Sequence, residues 1–132
     1  MNEHQIVIGS GAADHVRIAV RLPFDAEGWA RAEIAVQNGA FSGRFETMLW
    51  RVDLDDFRSD LQDLVQMPDG VAELDTAEGS VELALTGDGP GQILVTGSLS
   101  DDPETERSLE LEFAIHQTSL PGIQKALSDL LG

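Results

Sequence analysis

The chain of 132 residues contains no cysteine. This absence excludes disulfides, thiol nucleophiles and cysteine-ligated metals, and it fits a reducing compartment. Long apolar runs are also lacking, so no transmembrane helix is expected. The first five residues lack a basic segment followed by an apolar run, so no secretory signal is expected either. We therefore expect a cytoplasmic protein.

Basic residues are scarce as well. The chain has 8 Lys+Arg against 24 Asp+Glu, which gives a formal net charge of −16 and a pI of about 4.2. Residues 1–66 hold 6 basic and 11 acidic side chains, whereas residues 67–132 hold 2 and 13. Because nucleic-acid phosphates and anionic membranes attract cations, we expect binding to neither nucleic acid nor membrane.

Apolar residues make up 42% of the chain and are patterned throughout, which predicts one α+β domain over residues 1-132. Alternation with a period of two predicts eight strands, and apolar stripes with helical spacing predict two amphipathic helices. The predicted strands are His4–Ile8, Asp14–Leu22, Trp29–Gln37, Phe41–Trp50, Val71–Asp75, Gly79–Thr86, Gln92–Ser100 and Ser108–His116. The predicted helical stripes are Leu54, Phe57, Leu61, Leu64 and Val65, then Leu120, Ile123, Leu127, Leu130 and Leu131.

Three local signals set the ends of these elements. Asp53 is a predicted N-cap for the first helix, and Thr118 or Ser119 for the second. Asn38 and Gly39 both accept a positive φ, so together they predict the turn of a hairpin.

The apolar anchors of the two helices are offset by 66 residues, which indicates half-repeats of four strands and one helix at 1-67 and 68-132. Hairpin-linked strands predict an antiparallel sheet of about eight strands, with both helices on one face. A closed or split barrel-like sheet is the alternative arrangement.

No residue pattern indicates a catalytic or metal centre. Counted from Asp53, the sixth and twelfth positions of an EF-hand loop would be Arg58 and Leu64, which cannot bind calcium there. The three histidines His4, His15 and His116 lack the spacing of a zinc site. We therefore expect no catalytic residue, no bound metal and no cofactor.

Acidic residues crowd one segment of the second half and define a candidate partner-binding site. Their like charges repel unless a basic partner is present, although the same charge also serves a surface that only resists aggregation. Two tryptophans lie opposite the apolar sets of their strands, and they are candidate anchors or pack under a loop. The candidate binding residues are Asp101, Asp102, Glu104, Glu106, Glu110, Glu112, Trp29 and Trp50.

The run Phe113-Ala114-Ile115-His116-Gln117-Thr118-Ser119-Leu120, followed by a helix over Ile123–Leu131, resembles the C-terminal signature of the WapI-like bacterial immunity proteins. In that family a strand ends in an acidic residue, and Gln-Thr and then Leu lead into the last helix. The strand Phe41-Ser42-Gly43 and the helix with Phe57, Leu61 and Leu64 are also similar. His116 stands where the family has an acid.

The resemblance implies a non-enzymatic immunity protein that neutralises the basic domain of a toxin, often a nuclease, in the cytoplasm. Two alternatives from other classes stay open. One is a small-ligand binding module or enzyme with a pocket between the sheet and the helices. The other is an oligomeric structural protein with an exposed apolar sheet face.

Overall fold

The structure, a computed structural model, describes residues 2–10 and 13–132. Over these ranges the chain forms a four-stranded antiparallel sheet followed by a helix, twice in succession. The first half consists of β1 (Asn2–Gly9), β2 (His15–Leu22), β3 (Trp29–Asn38), β4 (Phe41–Trp50) and α1 (Arg51–Gln66). The second half consists of β5 (Val71–Asp75), β6 (Val81–Gly87), β7 (Gln92–Leu99), β8 (Leu109–His116), one 3-10 turn (Gln117–Ser119) and α2 (Leu120–Leu131). The predicted α+β class and its β4α repeat are confirmed.

The eight strands divide into two sheets, and α1 covers the edge of β5 and the loop that follows it. The Asp60 carboxylate accepts a hydrogen bond from the Glu73 backbone N–H at 3.1 Å, and the Asp53 carboxylate accepts one from the Ala77 backbone N–H at 2.8 Å. Unpaired edge groups of this kind would otherwise invite another strand. Each sheet has four strands, in the order in which they occur in the chain.

Neither helix begins with the side-chain cap that the sequence predicts. Helix α1 begins at Arg51, and Trp50 occupies its cap position without a side-chain hydrogen bond. The prediction of Asp53 as an N-cap is therefore wrong, because its carboxylate binds the loop after β5 instead. Ser119 occupies the cap position of α2 and likewise makes no side-chain hydrogen bond there.

The hairpin between β3 and β4 turns one residue later than predicted. Asn38 stays in the strand, and the turn consists of Gly39 and Ala40, with only Gly39 at a positive φ of 62°. This is the position at which a type II′ turn carries its glycine. Asn38 is held in the strand by β8, because its Nδ2 donates to the Glu112 carbonyl at 3.0 Å and its Oδ1 accepts from the Glu112 N–H at 3.2 Å. The side-chain amide thus joins the two sheets.

The inner faces of both sheets and both helices share one apolar core. Helix α1 packs against β5 and α2, while α2 packs against β1. The predicted helical stripes are buried, except that Val65 is 42% exposed. The buried helical residues are Leu54, Phe57, Leu61, Leu64, Leu120, Ile123, Leu127, Leu130 and Leu131. This packing leaves the outer face of each sheet free for other contacts.

Candidate docking surface

The outer face of the second sheet carries five exposed carboxylates and no lysine or arginine. The register places Asp75 directly opposite Glu82, where like charges are destabilising. Within the described part of the chain, none of the five takes part in an ion pair. These residues, the acidic face, are Glu73, Asp75, Glu82, Glu110 and Glu112.

A groove of about 350 Å³ runs along this acidic face. Its rim includes the carboxylates of four of the five residues, and its floor consists of small side chains such as Ala84, Thr96 and Ser98. Short side chains between charged ones leave room for the longer side chains of a partner. Glu110 and Glu112 are among the binding residues predicted from the sequence, whereas Glu73, Asp75 and Glu82 are not. In the strands predicted over 71–75 and 79–86, apolar and polar residues alternate. This alternation places the three acidic residues on the outward face, and it is the signal that could have identified them.

The loop between β7 and β8 holds four of the predicted binding residues, and one of these is neutralised within the loop. Arg107 donates from Nε and Nη2 to the two Asp101 carboxylate oxygens, at 3.0 and 3.1 Å. The Arg107 side chain lowers the pKa of the Asp101 carboxyl, and Asp101 raises the pKa of Arg107. The Asp102 carboxylate accepts the backbone N–H of Glu104 at 3.1 Å. Asp102, Glu104 and Glu106 have no basic partner in the described structure.

The two tryptophans lie on the first sheet rather than beside the acidic residues. Trp29 on β3 and Trp50 on β4 are directly opposite each other. Their rings stack with centroids 6.0 Å apart and an interplanar angle of 19°. The Trp50 indole N–H donates to the Glu27 carbonyl at 3.1 Å, so the pair also packs against the loop after β2. Both residues are half-buried.

The outer face of the first sheet gathers half of the basic residues of the chain. Two of its arginines form ion pairs across β3 and β4, Arg31 with Glu46 at 3.9 Å and Arg44 with Glu33 at 3.6 Å. The four arginines of this face are Arg17, Arg21, Arg31 and Arg44. The two sheets therefore present faces of different charge, and the excess negative charge belongs to the second.

A cavity of about 210 Å³ lies between the C-terminal end of α1, the N-terminal end of α2 and the second sheet. Its lining is mostly apolar and includes Leu64, Ile93 and Gln117. The Gln117 Oε1 atom is buried and accepts no hydrogen bond from the described residues. Ligand pockets usually measure about 300–1,000 Å³, so the pocket required by the small-ligand hypothesis is undersized at this place.

The histidines that could serve as bases make local hydrogen bonds. His15 Nδ1 lies 2.8 Å from the Ala13 carbonyl. His116 Nδ1 accepts the backbone N–H of Thr118 at 3.2 Å and lies 2.9 Å from its hydroxyl. The imidazole thus caps the turn before α2, as a carboxylate could. Over residues 2–10 and 13–132, no three His, Cys, Asp or Glu side chains are grouped to hold a metal ion.

Residues 2–10 and 13–132 contain no helix of the length and apolarity needed to cross a bilayer.

The fold and the surface define an α+β protein with an acidic sheet face that has no basic partner among the described residues. The chain belongs to the Immunity protein WapI-like family, whose sequence profile matches residues 6–132. The resemblance to this family predicted from the sequence is confirmed. Family membership implies an immunity role and, with it, a toxin as the binding partner.

No curated protein matches the chain. Three solved chains match it, among them one from the crystal structures of Trypanosoma bruciei MRP1/MRP2. That chain is 11% identical in sequence, with a TM-score of 0.53, and the match covers 98% of this chain and 83% of that one. At this identity the likeness shows the shared fold alone.

Proposed function

We propose that this protein is a non-enzymatic, cytoplasmic immunity protein that binds a basic toxin domain and neutralises it by covering its cationic surface. The observation that carries the proposal is the acidic face, on which five carboxylates have no basic partner in the described structure. Neutralisation by contact requires neither a catalytic residue nor a cofactor of this chain.

The electrostatics support a cationic partner. Asp75 and Glu82 repel each other across β5 and β6, and a partner that brings lysine or arginine between them would relieve that repulsion. Complementary charge also speeds encounter and excludes partners of the wrong sign. Nucleases are basic where they grip phosphate, so a toxic nuclease is the toxin class that best fits this face.

A growth assay tests the role as a whole. The C-terminal, domain-sized segment of the protein encoded immediately upstream is expressed in a bacterial host, with and without this chain. We expect that segment to be toxic alone and harmless when this chain is co-expressed. A segment that is harmless alone, or toxic despite this chain, would contradict the proposal.

Charge variants test the surface. The double substitution Asp75→Asn with Glu82→Gln should lower the association rate constant about 3- to 10-fold at low salt and flatten its dependence on salt. The control, Asp56→Asn with Asp63→Asn, removes the same charge from exposed positions of α1. Equal rate changes in both variants would show that only net charge matters and would reject the acidic face as the docking site.

The contribution of the loop between β7 and β8 to association is tested separately, by neutralising Asp101, Asp102, Glu104 and Glu106 together. Asp101 is already paired with Arg107. We therefore expect a variant that neutralises only Asp102, Glu104 and Glu106 to show most of the change in association rate seen in the fourfold variant. Unchanged association kinetics in the fourfold variant would exclude the loop from steering.

A further inference from the structure

The edge strand β4 offers unpaired backbone groups beside an apolar groove. It pairs with β3 on one side and ends the sheet on the other. Two other edges have backbone groups that are bound by side chains, β5 by Asp60 and β8 by Asn38. Among the described residues, the backbone of residues 41–46 of β4 makes hydrogen bonds only to β3. This stretch is therefore open to another strand.

The register identifies which backbone groups of β4 are open. The Arg51 N–H donates to the Gly28 carbonyl at 2.7 Å, which continues the β3–β4 ladder beyond the strand end. Since hydrogen-bonded positions alternate along an antiparallel strand, the odd-numbered residues of β4 bond to β3. The N–H and C=O groups of Ser42, Arg44 and Glu46 consequently point to the open side.

The groove beside this edge measures about 310 Å³ and separates β4 from the end of the second sheet. Phe41 and Phe45 line one side, and Leu99, Asp101 and Leu109 line the other. Phe41 is 67% exposed, the largest exposure among the large apolar side chains of the described chain. An added strand would place alternate side chains against these rings, because side chains alternate between the two faces of a sheet.

The charge around the groove selects its occupant. Asp102, Glu104 and Glu106 lie on the loop that borders it and have no basic partner among the described residues. The two arginines of the groove lining, Arg44 and Arg107, are paired with Glu33 and Asp101. A second copy of this chain carries a net charge of −16 and would be repelled. A basic toxin domain would be attracted, and its apolar side chains could fill the groove.

We propose that the toxin adds an extended segment to β4 by strand addition, with alternate apolar side chains in the Phe41–Phe45 groove and a lysine or arginine beside the 102–106 loop. This inference rests on the proposed function and names a contact within it. Main-chain hydrogen bonds supply affinity in such complexes, and the groove supplies specificity.

The first test compares proline with alanine at position 44. Arg44→Ala removes the side chain and its pairing with Glu33 but keeps the backbone N–H, whereas Arg44→Pro also removes the N–H. Proline is tolerated on an edge strand when its nitrogen faces outward. With the upstream-encoded C-terminal segment as the probe, calorimetry should show binding at least about tenfold weaker for the proline variant than for the alanine variant.

The groove is tested by Phe41→Ser against Met48→Ser. Met48 is a control on the same strand, 36% exposed on the opposite face. We expect only the Phe41 substitution to weaken binding, by about tenfold or more. Equal effects of the two substitutions would overturn the role of the groove.

Amide hydrogen exchange of the wild-type protein tests the contact without any substitution. In the complex, the N–H groups of Ser42, Arg44 and Glu46 should become protected, whereas Phe41, Gly43 and Phe45 are protected already. Binding without this new protection would overturn strand addition and leave the proposed function standing. Failure of the wild-type protein to bind or to rescue growth would overturn both. A dimer paired through β4, detected by sedimentation, would overturn the proposal in favour of a second copy.

Discussion

Replacing Asn38 by alanine should weaken the joint between the two sheets. The substitution removes both hydrogen bonds to the Glu112 backbone, at 3.0 and 3.2 Å. A net hydrogen bond is worth about 0.5–1.5 kcal/mol. Because this site is partly open to water, we expect a loss near the lower end for the pair, about 1–2 kcal/mol. For a chain of this size that corresponds to a fall in Tm of roughly 3–10 °C.

Urea unfolding followed by tryptophan fluorescence, together with a thermal scan, measures this loss. The control is Gln37→Ala, which removes a side-chain bond to the Gly39 carbonyl within the same hairpin and should cost about 0.5 kcal/mol or less. Asn38→Asp should be at least as unstable as Asn38→Ala at low salt, since a carboxylate cannot donate to the Glu112 carbonyl. If Asn38→Ala is no less stable than Gln37→Ala, the amide does not join the sheets as we argue.

Three further predictions concern stability. Gly87→Ala should cost about 1–3 kcal/mol in urea unfolding, because its Cβ would collide with the Pro68 carbonyl. Its control is Gly43→Ala, which should change stability little because the nearest atom to the added Cβ is 3.6 Å away. Backbone hydrogen bonds, first of all from Trp29, lower the pKa of Asp25, so its charged form stabilises the fold above the ordinary carboxyl pKa of 3.8. Asp25→Asn should therefore lower Tm at neutral pH, with the difference shrinking as the pH falls below that value and lost once the pH passes the lowered pKa of Asp25; a constant difference would contradict this. Finally, raising the salt from about 0.01 M to about 1 M should raise Tm by screening the excess negative charge, and should do so less in the Asp75→Asn, Glu82→Gln variant.

Rules that use only neighbouring residues predict the strands and helices correctly where the apolar periodicity extends over a long segment. Alternation predicted the eight strands to within a few residues, since one buried face fixes the parity of each strand. The helical stripes at Leu54–Leu64 and Leu120–Leu130 were predicted because a buried stripe requires apolar residues three and four apart. The 66-residue offset also indicated the order of four strands and one helix in each half.

The same rules predict the wrong role for a residue whose side chain forms a hydrogen bond with a backbone group far away in the chain. Asp53 has the chemistry of an N-cap, but the Ala77 N–H takes its carboxylate. Asn38 suits a turn, but Glu112 holds it in β3. In both cases the partner lies in the second half of the chain, Ala77 in the loop after β5 and Glu112 in β8, and a sequence window around either residue does not contain it.

The sequence by itself determined the strands, the helices, the excess of negative charge and the family signature at Gln117-Thr118, because each depends on neighbouring residues or on composition. Only the tertiary structure decided that the strands divide into two sheets and that Trp29 stacks on Trp50. It also decided that Asp75 faces Glu82 and that β4 keeps an open edge beside Phe41. These features arise from register and from sheet edges, where contacts join residues that are far apart in the chain.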